Sequence, residues 1–237
     1  MDFSVIIPTR DRPEYLQQAV ASVLAQRDVS FEILVVDDGT IALPKFADAR
    51  VKVLSNQQRG PVPGRNLGVV HATAKHIAFL DDDDWWCSDH FLAQSLAALA
   101  GGKDFSFADG VLVFTNGCSD LPFVFDADAT SLETDNSILI STVCYQRCLH
   151  DTLGMFDEAL PYYWDWDWYL RVARSGAALH HVPQPMAAIR VHDGNMSNGD
   201  QEEARRSNLN ALTAKHGLLP LKLKNHLSLA RESIITI

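Results

Sequence analysis

The 237-residue sequence has no apolar run of the roughly 18–20 residues that a membrane-spanning helix needs. Its first residues, MDFSVIIPTR, have no basic segment ahead of the short apolar run, so we expect no signal peptide. Cysteine is scarce, and its spacing matches neither Cys-x-x-Cys nor a Cys/His zinc site. We therefore expect a reducing, cytoplasmic location and free buried thiols at Cys87, Cys118, Cys144 and Cys148.

Basic residues are also fewer than acidic residues. There are 20 lysines and arginines against 30 aspartates and glutamates, which gives a net charge of -10. Broad nucleic-acid binding depends on basic contacts to phosphate, so we expect no nucleic-acid partner. A phosphorylated ligand is still compatible with this charge if a divalent metal lies between the ligand and the protein's carboxylates.

The first hundred residues alternate between short apolar runs and segments of helical periodicity. We expect strands at 4–8, 31–36, 51–54 and 76–80. We expect helices at 13–24, with Asp11 as its cap, at 66–75 and at 88–100. This alternation predicts an α/β fold with a parallel sheet that is covered by helices on both faces.

The second half has a less regular pattern. We expect short strands or a hairpin at 104–116, a strand at 138–146, a helix at 163–174, an extended segment at 177–191 and a polar helix at 200–217. No repeat or flexible linker divides the chain, so we predict one domain over residues 1–237. Within it, residues 1–100 would bind a nucleotide, 101–217 would bind the second substrate, and 218–237 would form a C-terminal tail.

Polar residues follow the apolar runs where the predicted strands end. Thr9 follows the first run, Asp38 follows the second, and the segment DDDD at 81–84 follows the fourth. Ligands of open α/β sheets bind outside the carboxyl ends of the strands, so these residues are expected to share one crevice. In an extended segment Asp81 and Asp83 point to one side, where a divalent cation would relieve their repulsion. A solvated turn that caps the following helix is the alternative for this run.

Longer stretches of the sequence occur in an order that is typical of one enzyme family. They are VIIPTRDRPEYLQQAVASVLAQ, EILVVDDGT, GPVPGRNLG and FLDDDD, followed by GMFDEAL, WDWDWYLRVARSG and IRVHDGNMS. On these motifs the chain resembles family 2 glycosyltransferases with the GT-A fold. The resemblance implies a Rossmann-like, mostly parallel sheet with a smaller acceptor-side subdomain. It also implies transfer of a sugar from a nucleotide diphosphate sugar, with a UDP-sugar favoured and with Mn²⁺ or Mg²⁺ on the diphosphate.

The resemblance assigns the donor nucleotide to the strand ends. Pro8, Thr9 and Arg10 would line the pocket for the base. Asp38 would accept a hydrogen bond from the imide of a uracil-type base, and Arg65 would lie near the base or the phosphates. For Asp38 the alternative is a turn that closes the strand, and for Arg65 it is an ion pair with a surface carboxylate.

The resemblance also separates the four aspartates. Asp83 would ligate the metal, and Asp81 would contact the ribose or a metal-bound water. Asp82 and Asp84 would have local structural roles, with Asp84 as a helix cap. His192, in IRVHDGNMS, matches a late histidine of the family that contacts the metal or the diphosphate. Imidazole joins carboxylates on Mn²⁺, and a purely structural histidine is the alternative.

The segment WDWDWYLR carries the catalytic assignment. In the family this region reads Glu-Asp-x-Asp, and its second acidic residue is the catalytic base, which is Asp165 here. Trp164 stands where the glutamate is common, which leaves acceptor recognition open. Residues two apart on a helix point about 200° apart, so Asp167 is expected to face away from the crevice.

The tryptophans of the same segment have two interpretations. Trp164 and Trp166 are possible acceptor-binding residues, because sugars stack on aromatic faces. Core packing is the alternative for both, and it is favoured for Trp168.

The combined prediction is an inverting transfer by single displacement to a hydroxyl of a saccharide or glycoconjugate. One alternative keeps the fold and uses a polyprenyl phosphate acceptor, and another is a non-catalytic module that binds a nucleotide sugar. A nucleotidyltransferase would need a Gly-rich, basic phosphate loop after the first strand, and IPTRDRPE is not one. The mildly basic, amphipathic tail is predicted either to touch a membrane surface or to pack against the domain or a partner chain. The oligomeric state is not predicted.

Overall fold

The computed structural model describes residues 1–115, 119–192 and 201–235 of the chain. Within these residues one sheet has the strand order β3-β2-β1-β4-β8-β6-β9-β5, and β7 pairs with β6. The strands are β1 (Phe3–Thr9), β2 (Phe31–Asp37), β3 (Val51–Ser55), β4 (His76–Phe79), β5 (Trp85–Trp86), β6 (Phe105–Phe114), β7 (Leu121–Phe123), β8 (Cys144–Gln146) and β9 (Leu179–Val191). The helices are α1 (Pro13–Leu24), α2 (Pro61–His71), α3 (Phe91–Ala100), α4 (Leu149–Leu153), α5 (Trp164–Arg174), α6 (Glu202–His216) and α7 (His226–Ile235).

The first four strands are mutually parallel, and in β1, β2 and β4 apolar side chains are buried on both faces, whereas β3 is an exposed edge strand. Along β1, Phe3, Val5 and Ile7 are buried in a core that includes α1 and α3. Ile6 points the other way and is buried with residues of α2 and α5. Burial on both faces accounts for the near-continuous apolar sequence of these strands. The predicted α/β fold, with a mostly parallel sheet and helices on both faces, is confirmed.

The second half extends the same sheet and introduces antiparallel pairs. β8 lies antiparallel to β4 and joins the first four strands to β6. The range 104–116, predicted as short strands or a hairpin, instead holds the single strand β6, which pairs antiparallel with β7 and in parallel with the long strand β9. Because β9 also pairs with β5, its C-terminal end lies beside the aspartate run that precedes β5.

The second helix begins five residues earlier than the sequence predicts, because α2 spans Pro61–His71 rather than 66–75. Gly60, with φ of 102°, makes the turn into the helix. Pro61 lies in the first turn, where its missing N–H removes no helical hydrogen bond. Ala72 has an extended backbone and ends the helix. Arg65 therefore lies on the second turn of α2 and not in the loop before it.

Asp11 does not cap α1, contrary to the expectation. Its φ of 55° turns the residue away from the helix, which begins at Pro13 with no side-chain cap. The Asp11 carboxylate accepts backbone hydrogen bonds from Thr40 at 2.7 Å and from Ile41 at 2.8 Å. Asp11 thus joins the turn after β1 to the segment after β2.

Two further boundaries differ from the prediction. α3 begins at Phe91 rather than at residue 88. The strand predicted at 138–146 is divided into a 3₁₀ turn, Ile140–Thr142, and the short strand β8. The Thr142 hydroxyl donates to the Leu139 carbonyl at 2.8 Å, which stabilises the turn in place of strand pairing.

The tail folds back onto the domain in its described part. Leu229 and Ala230 of α7 are buried against Leu112 and Phe123. Among the described residues, none of the helices combines the length and the apolar character needed to cross a membrane. Residues 236–237 lie outside the described residues, and contact of the tail with a membrane surface stays a prediction.

The cysteines are only partly as expected. Cys144 is buried, and burial raises the pKa of its thiol to about 12. Cys87 and Cys148 are exposed, so the expectation of buried thiols is wrong for these two. Cys118 lies outside the described residues.

Candidate active site

A cavity of about 580 Å³ opens at the carboxyl ends of the parallel strands. It brings together most of the residues to which the sequence assigns a role, namely Pro8, Thr9, Arg10, Asp38, Arg65, Asp81, Asp83, Trp164, Asp165 and Trp166. This position is the one expected for an open α/β sheet. His192 does not line the cavity, but it lies against one of the cavity's aspartates. The individual roles of these residues stay predictions.

Asp38 is buried and is held by the loop that leads into α2. Its Oδ1 accepts a hydrogen bond from Asn56 Nδ2 at 2.6 Å, and its Oδ2 accepts one from the Gly60 N–H at 3.1 Å. The same Asn56 amide donates to the Gly60 carbonyl at 2.8 Å. Asp38 thereby fixes the start of α2 against the end of β2, in addition to lining the cavity.

Arg65 is almost fully buried and connects three parts of the cavity. Its guanidinium pairs with Asp81 and lies 4.4 Å from the ring centroid of Trp164. Nη1 also donates to the Pro61 carbonyl at 3.3 Å. The ion pair is inside the cavity, so the alternative of a surface ion pair for Arg65 is wrong.

Asp82 and Asp84 are buried, as local structural roles require, but neither caps a helix. Asp82 accepts a hydrogen bond from the Thr9 hydroxyl at 2.7 Å, and burial raises its pKa to about 6. Asp84 accepts hydrogen bonds from the Ser141 hydroxyl at 2.6 Å and from the Arg190 N–H at 3.0 Å. Burial, followed by the neighbouring charge of Asp83, raises the pKa of Asp84 well above its ordinary value. The expectation that Asp84 caps α3 is therefore wrong.

Three of the four aspartates can meet at one point. Carboxylate oxygens of Asp81, Asp83 and Asp84 lie within 4.8 Å of one another. Hard divalent cations prefer this all-oxygen donor set, and a cation would offset the cost of gathering like charges in a half-buried site. His192 Nε2 lies 3.1 Å from Asp83 Oδ2, so an imidazole lies next to these carboxylates as a further potential ligand. The residues present fit Mg²⁺ or Mn²⁺, with Asp84 as a third carboxylate that the sequence reasoning did not include.

Two arginines beside this group were missed. Arg12 Nη1 lies 2.6 Å from Asp83 Oδ2 and 3.3 Å from Asp82 Oδ1. Arg190 donates from Nε to the Asp83 carbonyl at 2.9 Å. A signal for Arg190 existed, because Arg190 and His192 alternate in an extended segment and therefore share a face.

Asp165 lies in the first turn of α5 with its carboxylate at the cavity. It is only 8% exposed, and its Oδ2 accepts a hydrogen bond from Asn136 Nδ2 at 3.0 Å. Burial raises the pKa of Asp165 to about 6, against the opposing effects of the Asn136 hydrogen bond and of the Arg65 charge. A carboxylate with this pKa is ionised at neutral pH and is a better proton acceptor than an ordinary aspartate.

Asp167 has the opposite surroundings, as the helical geometry predicts. It pairs with Arg171 at 2.9 Å, with Lys215 at 2.7 Å and with His216 at 2.8 Å. Burial alone would raise its pKa, but hydrogen bonds from His216 and Lys215 lower it to about 2. Asp167 therefore ties α5 to the end of α6, away from the cavity.

The tryptophans are mainly core residues. Trp168 is fully buried, as predicted. Trp164 and Trp166 line the cavity but are only 6% and 4% exposed. Arg65 already covers one face of Trp164, and the Trp166 indole donates to the Leu132 carbonyl at 2.7 Å. Little aromatic face is left for stacking, and the acceptor role of both residues stays a prediction.

Sequences of known proteins are similar to this chain over different lengths. Residues 4–121 match the family described as Glycosyl transferase family 2. The chain is 30% identical over 245 residues to the uncharacterized glycosyltransferase YwdF of Bacillus subtilis, which covers 98% of this chain and 90% of YwdF. It is 29% identical over 119 residues to the UDP-Glc:alpha-D-GlcNAc-diphosphoundecaprenol beta-1,3-glucosyltransferase WfgD of Escherichia coli, which covers 48% of this chain and 47% of WfgD.

Solved structures share the fold. The structure of S. aureus TarS 1-349 in complex with UDP-GlcNAc has a TM-score of 0.69 at 21% identity, over 91% of this chain and 66% of TarS 1-349. The mannosyltransferase PcManGT from Pyrobaculum calidifontis, in complex with GDP-Man and Mn²⁺, has a TM-score of 0.61 at 15% identity, over 90% of this chain and 63% of PcManGT. The chain thus spans less than two thirds of the length of these solved proteins. Fold and site together define the class as a GT-A glycosyltransferase, and the chain belongs to glycosyl transferase family 2.

Proposed function

We propose that the protein is an inverting glycosyltransferase that moves a sugar from a UDP-sugar to a hydroxyl of a saccharide or glycoconjugate. The observation that carries the proposal is the joint position of two groups in one cavity. Asp165 presents a buried carboxylate there, and Asp81, Asp83 and Asp84 present three more at the same strand ends. A transferase of this kind needs one carboxylate to accept a proton and a separate group to hold the donor's diphosphate.

The donor end of the site is assigned to the strand ends. Pro8, Thr9 and Arg10 would contact the base, and Asp38 would add an acceptor for its imide. Asp83 would hold Mn²⁺ or Mg²⁺ together with Asp81, Asp84 and His192. When bound, such a cation offsets the negative charge that develops on the departing nucleoside diphosphate. Arg65 holds Asp81 from the other side and keeps it oriented towards the donor.

Asp165 is assigned as the general base. Its pKa of about 6 leaves it ionised at neutral pH, so it can accept the proton of the acceptor hydroxyl as the oxygen attacks the anomeric carbon. Asn136 holds Oδ2 and the Trp166 N–H holds Oδ1, and these two hydrogen bonds fix the carboxylate at the cavity. A single displacement from the face opposite the nucleotide inverts the anomeric configuration.

Similar proteins support the choice of donor. TarS 1-349 has been solved in complex with UDP-GlcNAc and, in another structure, in complex with UDP. The name of WfgD gives UDP-Glc as its donor and a diphosphoundecaprenol-linked sugar as its acceptor. PcManGT is a complex with GDP-Man and Mn²⁺. A UDP-sugar and a divalent metal are therefore the first conditions to test.

The test compares Asp165→Asn with Asp83→Ala. Asp165→Asn should keep Mn²⁺-dependent UDP binding, measured by calorimetry, and lose transfer by about 10²–10⁴-fold. Asp83→Ala should lose the metal-dependent part of UDP binding. Full transfer activity of Asp165→Asn to a sugar hydroxyl would overturn the assignment of the base. Unimpaired transfer by that variant to a polyprenyl phosphate would support the alternative acceptor instead.

A further inference from the structure

Part of the cavity is built by residues far from the strand ends. Arg205 of α6 and Lys222 and Lys224, which lie just before α7, all line it. We call these three residues the basic wall. Arg10, Arg12 and Arg65 also line the cavity, so the basic wall is a second group of cations, contributed by the C-terminal part of the chain.

The basic wall lies beside the group assigned as the base. Asn136, which donates to Asp165, directly follows Asp135, and Asp135 pairs with Lys224 at 2.9 Å. Arg205 donates from Nη2 to the Lys224 carbonyl at 3.0 Å, which joins α6 to the segment before α7. The wall is therefore attached to the acceptor side of the cavity through the same short segment that orients the base.

Lys222 contributes a positive charge to the wall that is separate from the ion pairs of Lys224. Lys224 is shared between Asp135 and Glu232, each at 2.9 Å. Lys222 is exposed, and no carboxylate in the described part of the chain pairs with it. In the proposed function the donor's diphosphate is held by the cation that Asp81, Asp83 and Asp84 would bind. A second group of cations in one cavity is best matched by a second anion.

We propose that the basic wall binds a phosphate or diphosphate on the acceptor, so that the acceptor is a sugar carrying a phosphoester near its accepting hydroxyl. This inference rests on the proposed function, since it needs a donor at the strand ends and a base at Asp165. Charge-assisted hydrogen bonds from arginine and lysine are the usual means of holding phosphate oxygens. The phosphoester can belong to a lipid-linked diphosphate sugar or to a soluble sugar phosphate.

The test measures acceptor binding to the protein saturated with UDP and Mn²⁺. The probes are a panel of hexose and N-acetylhexosamine 1-phosphates, the same sugars as decyl diphosphate esters, and their neutral methyl glycosides. At least one phosphorylated probe should bind about 10-fold or more tightly than its methyl glycoside. The decyl diphosphate and 1-phosphate arms identify the lipid-linked or the soluble source.

Variants of the wall separate this inference from the proposed function. Arg205→Ala and Lys222→Ala should each weaken binding of the phosphorylated probe by about 10-fold and leave UDP–Mn²⁺ binding unchanged. Lys222 is exposed, so its variant tests the wall without risk to the fold, and Arg205→Lys should restore part of the affinity. Arg206→Ala is the matched control, because Arg206 is exposed and pairs with Glu202.

Three outcomes overturn the inference. They are equal binding of all phosphorylated and neutral probes, equal effects of Arg205→Ala and Arg206→Ala, and a loss of UDP–Mn²⁺ affinity in Arg205→Ala, which would assign the wall to the donor. Failure of the unmodified protein to bind UDP with Mn²⁺ would instead overturn the proposed function.

Discussion

Replacing Asp165 with asparagine should stabilise the fold at neutral pH, although it removes the group assigned to catalysis. Burial raises the pKa of Asp165 to about 6, whereas an unfolded chain has the ordinary value of 3.8. At a pH between 3.8 and 6, Asp165 is mostly ionised in the unfolded chain and mostly protonated in the folded protein. Ionisation of Asp165 therefore favours the unfolded state. The cost to the folded state is about 1.6 kcal/mol at pH 5 and reaches about 3 kcal/mol at pH 8.

The surroundings of Asp165 accept an amide. The Asn136 Oδ1 atom is buried and has no hydrogen-bond partner within the described residues. Rotation of the Asn136 side-chain amide would present this oxygen to the new NH₂ group of Asp165→Asn. The rotation moves Asn136 Nδ2 into the position that Oδ1 held without a partner, so the number of unpaired polar atoms on Asn136 stays the same while a buried charge is removed.

Asp167→Asn is the matched comparison, because Asp167 lies on the same helical turn with the opposite electrostatics. Its pKa is lowered to about 2, so its charge stabilises the fold above pH 3.8, and this contribution is lost as the pH falls towards 2. Asp167→Asn should therefore destabilise the fold by about 2 kcal/mol, almost equally at pH 5 and pH 8. Two aspartates two residues apart should give changes of opposite sign.

Urea unfolding at pH 5 and pH 8, followed by tryptophan fluorescence, measures both effects. The stabilisation by Asp165→Asn should nearly double between the two pH values, and the Asp167→Asn effect should stay constant. A destabilised Asp165→Asn at pH 8, or an effect that does not change with pH, would refute the reasoning about the buried charge.

Three further predictions concern the rate and the packing. The rate of transfer (kcat/KM) should fall about tenfold per unit below pH 6, because protonated Asp165 cannot accept a proton; a flat profile from pH 5 to 7 would contradict this. Asn56→Ala should weaken UDP binding and destabilise the fold by about 1–3 kcal/mol, since a buried carboxylate loses a donor; calorimetry and urea unfolding measure the two effects. Gly68→Ala would bring a Cβ within 2.5 Å of Ile6 Cγ2 and should destabilise the fold by about 1–3 kcal/mol in the same unfolding assay. Val70→Ala is the control and should have almost no effect, because Val70 lies on the exposed side of the helix.

The sequence was most informative where one local signal decides the structure. The four parallel strands coincide with the short apolar runs of the sequence, and Thr9, Asp38 and the aspartate run lie at the strand ends, as predicted. The start of α2 was misjudged because Pro61 suits a loop as well as a first helical turn. The surroundings of Asp11 could not be foreseen, because its partners Thr40 and Ile41 lie 29 and 30 residues away in the chain.

The parts of the site that were missed are those that depend on distant contacts. Asp84 looks like a cap in the sequence, but Ser141 and Arg190 reach it across 57 and 106 residues. Arg205 and Lys224 have no motif of their own, and only the fold brings them to the cavity that Asp165 lines. Periodicity and motif order predict the strand ends at which we place the donor, and they contain no information on which late segment returns to the cavity.

The return of the tail to the cavity divides the enzyme into two parts that can change separately. The family match ends at residue 121, whereas the basic wall comes from positions 205–224. Substitutions in α6 and in the segment before α7 can alter one side of the cavity without disturbing the strand ends. If the basic wall binds the acceptor as proposed, exchange of this late segment between relatives would let one donor-binding framework serve several acceptors.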